Sequence, residues 1–171
     1  IVSGIYCFAW GFFEKVVIAN RLSYMVDVAF VDVSGKRGST LLFAIILYGL
    51  QLYCDFSGYS HLAIGAARVL GISFEPNFKQ PYFATSVKDF WRRWHISLSE
   101  WFRDYIYIPL GGNRKGNIRK YRNLLITFLI SGLWHGTGVQ YIVWGGLHGL
   151  YQIMEDMLHP KHAKKKRLIG K

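Results

Sequence analysis

The chain has 171 residues, 51% of them apolar and 17% aromatic, with 21 Lys and Arg against 10 Asp and Glu for a formal charge of +11. That composition excludes disorder, which needs low hydrophobicity with high net charge, and a soluble domain this apolar would leave most of its surface unfavourably exposed. Cys7 and Cys54 both lie in apolar stretches, so the cysteines give neither a disulfide framework nor a CxxC metal signature.

In chain order, residues 1–13 read as the end of a hydrophobic segment. Residues 38–54 (GSTLLFAIILYGLQLYC) carry no charge, and after Asp55 a second apolar stretch runs to Ala67. A buried acid needs a partner or stays protonated. Asp55 therefore either pairs, with Arg68 as the candidate, or caps the helix that follows.

Residues 74–114 differ in character. Pro76 and Pro81 make the first part an extended loop. Ser86 and Asp89 have capping-box spacing, with Asp in place of the usual Glu. Phe90, Trp94, Leu98, Trp101, Tyr105 and Ile108 then recur at helical spacing, which predicts one helix ending near Pro109 and Gly111. The other face carries Lys88, Arg92, Arg93, Glu100, Arg103 and Asp104. Aromatics interleaved with cations suit the membrane–water interface, so this reads as an interfacial amphipathic helix. His95 sits beside the aromatic stripe, where a single histidine is more often a hydrogen-bonded packing residue than a catalyst.

The charge is concentrated in two acid-free segments. Residues 111–123 hold Arg114, Lys115, Arg119, Lys120 and Arg122; residues 159–171 hold Lys161, Lys164, Lys165, Lys166, Arg167 and Lys171. Together they account for the whole net charge. Such runs suit nucleic acid or the cytoplasmic flanks of membrane spans. The uncharged stretch 123–154 between them decides for the membrane and against a nucleic-acid partner. With both basic segments cytoplasmic, this stretch must enter and leave on one side. Its centre, GLWHGTG, favours a break or turn at Gly132, Gly136 and Gly138. His135 then lies about 18 Å along a helix from Asn123, near the middle of a hydrocarbon core about 30 Å thick. An ionisable residue there is a functional candidate. His148 would lie about 20 Å further along a continuous helix and reads as packing; His159 and His162 belong to the basic tail.

The strings GFFEKVVIANRL (11–22), YCDFSGYSHLAIGAARVLGI (53–72), PNFKQPYFATSVKDFWRRWHISLSEWFRDYIYIPLGGNRKG (76–116) and RNLLITFLISGLWHGTGVQYIVWGGLHGLY (122–151) resemble the membrane-bound O-acyltransferase family. The nearest branch is the bacterial alginate O-acetylation type, related to the D-alanyl transferase of teichoic acid modification. The resemblance implies an all-α, polytopic membrane helical bundle with re-entrant or broken helices, in a bacterial inner membrane. Residues 1–171 are expected to be a C-terminal or internal portion of a single such transmembrane domain. It further implies a tunnel between the membrane faces with two histidines near its narrow part, which map to His135 and His95. His61 departs from the pattern, since many relatives are expected to carry Asp there.

The chemistry implied is transfer of an acyl group, acetyl by the branch resembled, from a cytoplasmic thioester donor to a hydroxyl. The donor is acetyl-CoA or an acyl carrier protein, used as substrate, with no bound cofactor and no metal. The acceptor is an extracytoplasmic polysaccharide such as alginate, or a secreted or periplasmic acyl-handling partner; membrane lipid surrounds the protein. A neutral imidazole can take the hydroxyl proton, a role given to His135, while His95 orients the donor or holds the second substrate. Trp134 shapes the slot, and Trp94 and Asp55 join it as substrate-side residues. Arg92 and Arg93 suit donor phosphates or lipid head groups. The competing class is a transporter subunit using the histidines as a proton relay, though no inverted repeat is detectable.

Overall fold

The computed structural model describes residues 1–159. The basic residues from Lys161 onward, and His162, lie outside the described residues. All regular structure among the described residues is helical. The chain forms two compact units, residues 1–78 and 79–171.

The first unit is a pair of long helices. Helix α1 (Val2–Phe30) runs 29 residues, with a widened π-helical stretch at Phe13–Ala19. Helix α2 (Gly38–Val69) runs 32 residues. Both are apolar and, at about 1.5 Å per residue, longer than a bilayer core of about 30 Å. Only 22% and 17% of their apolar windows is buried, whereas the core helix of a soluble protein would be mostly enclosed. Asp55 does not interrupt α2: its side chain is paired, so the helix passes through it.

Glycines set the separation of α1 and α2. A Cβ on Gly11 would come 2.5 Å from the Gly58 carbonyl oxygen, and one on Gly65 would come 2.7 Å from that of Gly4. The pairs 4–65 and 11–58 are antiparallel and seven residues apart. This is the small-residue contact by which helices approach closely where the hydrophobic effect cannot drive them together.

The second unit begins with a 3₁₀ turn at Pro81–Phe83, followed by α3 (Val87–Trp91) and α4 (Ile96–Phe102). A π-helical turn spans Arg103–Tyr107, and α5 (Asn117–His135) and α6 (Val139–Leu158) complete it. Ser86 caps α3 as its spacing predicts, accepting from the Asp89 N–H at 3.0 Å. Asp89 in turn accepts from the Thr85 N–H and from Arg93 Nε, and these donors hold its carboxyl below the usual range.

The single helix expected over the aromatic stripe is instead broken at His95. A continuous helix would use the Arg93 carbonyl for its own i+4 amide. That carbonyl accepts from the Lys79 N–H at 2.9 Å. The chain turns through left-handed geometry at His95 (φ 43°, ψ 58°), and α4 restarts with Ser99 N–H donating to the His95 carbonyl at 3.0 Å. Gln80, next to the clamping Lys79, is the other non-glycine residue with positive φ among the described residues. Two strained positions thus flank one backbone clamp. The stripe divides with the helix: Phe90 and Trp94 stack at 5.6 Å with Tyr82 against both, while Trp101 packs on Tyr105.

The basic loop after Pro109 folds back onto α5. Asn123, 1% exposed, donates Nδ2 to the carbonyls of Leu110 and Gly112 at 3.0 and 3.1 Å. Helices α5 and α6 form the hairpin implied by GLWHGTG, with the chain turning between His135 and Val139. A Cβ on Gly132 would lie 2.2 Å from the Tyr141 carbonyl oxygen, and one on Gly145 would lie 2.3 Å from that of Phe128. At the open end, Lys120 and Tyr121 both bond Asp156, so the start of α5 and the end of α6 lie together.

Candidate active site

Two histidines forty positions apart in sequence meet the same indole. The His95 ring lies 6.3 Å from Trp134 and the His135 ring 5.0 Å from it, both steeply tilted to its plane. His95 arrives there because the backbone breaks at that residue. His135 arrives as the last residue of α5. Burial first, and the neighbouring His135 second, push His95 down to about 4. It is therefore a neutral imidazole across the physiological range.

His135 and Trp134 are exposed within this chain, at the end of α5 rather than inside a closed slot. The His135 ring is nevertheless covered on a second side by Trp144, centroid to centroid 4.9 Å at 79°.

Beside this pair lies a cavity of about 350 Å³. Ile96, next to His95, and Ser131, one turn before His135, line it, as do Phe102 and Phe128. Its polar side carries Lys88, Arg92, Glu100 and Arg103, the last paired with Glu100 and Asp104. Phe102 joins the cavity to the histidines, its ring 6.5 Å from Trp134. A second, smaller cavity shares Lys88, Tyr107, Leu124 and Gln152 and continues to Lys120 and Asp156.

The residues singled out from sequence divide by this geometry. His95, Trp134 and His135 come together. Arg92 is exposed and faces the cavity. Arg93 is tied to Asp89 at 2.9 Å, so its guanidinium is partly committed within α3. Trp94 stacks on Phe90 and Tyr82 and serves the packing of the turn. Asp55 belongs to the first unit. Its partner is Lys15, at 2.5 Å, and not Arg68, which stands about 20 Å further along the same helix. Nor does it cap a helix, since it sits in the middle of α2.

Two residues of the cluster were not anticipated, Trp91 and Trp144, and both pack on His148, which reads from sequence as a packing residue. The hairpin brings His148 back, its ring 4.8 Å from Trp144 and 5.1 Å from Trp91. The separation of about 20 Å holds only for a continuous helix, and the turn that GLWHGTG predicts ends the helix at His135. The available signal was the i, i+4 spacing of Trp144 and His148 on the side of α6 that carries Gly145 and Gly149.

The sequence profile of MBOAT, the membrane-bound O-acyltransferase family, matches residues 1–164. A Pseudomonas fluorescens protein named "Probable alginate O-acetylase AlgI" is 52% identical over 151 residues, 88% of this chain and 30% of the relative. A "Peptidoglycan O-acetyltransferase" of Helicobacter pylori is 45% identical over 150 residues, 88% of this chain and 28% of the relative. A "Teichoic acid D-alanyltransferase" of Bacillus subtilis is 29% identical over 175 residues, 98% of this chain and 44% of the relative. The chain thus spans less than half the length of these relatives. With its apolar, membrane-length helices, its broken histidine turn and a match over nearly its whole length, this chain belongs to the membrane-bound O-acyltransferase family.

Proposed function

We propose that this protein is a multi-pass enzyme of the bacterial inner membrane that moves an acyl group, acetyl in the first instance, from a cytoplasmic thioester to a polysaccharide hydroxyl. A secreted relay partner is the other acceptor of the same chemistry. The observation that carries the reading is the meeting of His95 and His135 at Trp134, beside a mainly apolar cavity with Lys88 and Arg92 on its wall. The names of the relatives supply the acyl and polymer classes.

In this reaction the acceptor oxygen attacks the thioester carbonyl carbon. A C–O ester bond forms and the C–S bond breaks. His135 takes the hydroxyl proton and passes it to the departing sulfur, so the donor leaves as a thiol. His95, neutral at working pH, donates a hydrogen bond that orients the donor carbonyl. Arg92 and Lys88 attract the phosphates of acetyl-CoA or of a carrier-protein arm, and the apolar wall excludes water from the thioester.

The test is His135→Ala in the complete gene product. Hydroxylamine-releasable acyl esters on the cell's polysaccharide should fall to background while the protein remains in the membrane at normal level. Full acylation by the variant rejects the reading. Loss of a proton flux with no acyl product in either form would favour transport instead.

A further inference from the structure

The imidazole of His135 is flanked by two indoles. Trp134 stands 5.0 Å away at 80° and Trp144 4.9 Å away at 79°. Trp134 is its chain neighbour and exposed, whereas Trp144 reaches it from the other helix of the hairpin and is itself held. His148 lies 4.8 Å from Trp144 on one side and Trp91 lies 5.8 Å from it on another. Its backbone is fixed next to Gly145, whose Cα hydrogen side faces the Phe128 carbonyl with no room for a Cβ. Helix α6 thus carries Trp144 to the His135 ring as a rigid part.

We propose that Trp144 is a positioning residue for His135, holding the imidazole in its reactive orientation and stabilising the imidazolium formed as the acceptor hydroxyl loses its proton. The inference rests on His135 acting as the base. Two consequences of the geometry support it. An imidazole set against two indoles, each steeply inclined to it, has fewer side-chain torsions open to it, and a general base must be held within hydrogen-bond reach of the proton it takes. An indole attracts a cation placed over its face within about 6 Å of the ring centroid, and the His135 and Trp144 centroids lie 4.9 Å apart. The neutral ring gains less from that attraction than the charged one, so the contact favours the transition state over the ground state. Titratable groups near this ring are His95, through Trp134, His148, through Trp144, and Tyr141, whose ring lies against Gly136; none of the three is a carboxylic acid.

The experiment uses the complete gene product in its own membrane, with polysaccharide acyl ester per membrane-inserted protein as the readout. Trp144→Phe should keep at least about half the activity, while Trp144→Met, similar in bulk but without a π face, should lose on the order of tenfold. Equal activity of the Phe and Met variants would mean that Trp144 only fills space, and would overturn the proposal. Should Trp144→Met fail to accumulate, 5-fluoro- and 5,7-difluorotryptophan placed at 144 by nonsense suppression keep the shape and weaken the π face. Activity should then fall stepwise with fluorination, and a flat response overturns the proposal. His135→Ala separates the two levels. Lost acylation in that variant with a flat fluorination series rejects only the role of Trp144. Retained acylation rejects the base itself.

Discussion

Glu14 and His61 face each other across the α1–α2 pair, His61 Nδ1 to Glu14 Oε2 at 2.7 Å, with Glu14 only 6% exposed. Lys15 and Asp55 form a second pair on the same two helices. The four groups lie near the middle of helices long enough to cross a bilayer, where a lone charge is costly and a paired one is tolerated. Glu14 and Lys15 fall in the π-helical stretch, whose wider turn changes which residues face α2. His61 is thus the partner of a buried acid.

Removing one member of the Glu14–His61 pair should therefore cost more than removing both. His61→Leu removes the hydrogen-bond partner of the buried Glu14 side chain and should destabilise the helix pair by about 1–3 kcal/mol. Glu14→Leu with His61→Leu should recover most of that loss. Asp55→Asn leaves Lys15 as a lone cation on the same two membrane-length helices and should cost about 2.5–3.5 kcal/mol. Detergent unfolding titrations of the three variants check the order; a double variant no more stable than His61→Leu would refute the pairing energy.

Two glycines of the α5–α6 hairpin should respond in opposite directions. Gly132→Ala drives a Cβ into the Tyr141 carbonyl at 2.2 Å, costing about 1–3 kcal/mol or more and moving His135 away from Trp144. Gly146→Ala meets nothing nearer than Leu129 Cδ2 at 3.7 Å and should be neutral or stabilising by about 0.5–1 kcal/mol. Thermal aggregation midpoints and acyl ester content, measured together, check both.

At His95 the side chain and the backbone can be separated. Asn tolerates left-handed geometry as histidine does, so His95→Asn should insert and accumulate normally yet lose at least about tenfold in acyl transfer. His95→Ala should also lower the amount of folded protein, because alanine gains nothing from the strained conformation. Because His95 is pushed down to about 4, it protonates only as pH falls through that value. The pH–rate profile of the unaltered enzyme should show no limb from His95 between pH 5 and 8, and any acidic limb there belongs to another group. An acid limb that disappears in a partly active His95 variant would contradict this.

The hairpin also predicts topology. With Lys120 and Tyr121 bonded to Asp156, Asn117→Cys and His159→Cys should label with an impermeant maleimide from one side of the membrane, the cytoplasmic one. Labelling from opposite sides would exclude the hairpin in the bilayer.

Much of this protein follows from residue order alone. The uncharged run 38–54 gives the first half of α2, and the glycines around Trp134 and His135 mark the turn, because hydropathy and backbone freedom are local properties. The cap at Ser86 is legible for the same reason. Residues 1–13 read as a segment end, whereas α1 runs on to Phe30 through Glu14, Lys15, Arg21 and Asp27. Periodicity misled at His95: a helical stripe records which side chains are apolar, and cannot register that the Arg93 carbonyl is taken by a distant amide at Lys79. Asp55 was paired from sequence with an arginine on its own helix, whereas the nearest cation lies on another. The tertiary structure alone decides that Trp144 reaches His135, since that contact depends on how closely two glycine faces let α5 and α6 approach.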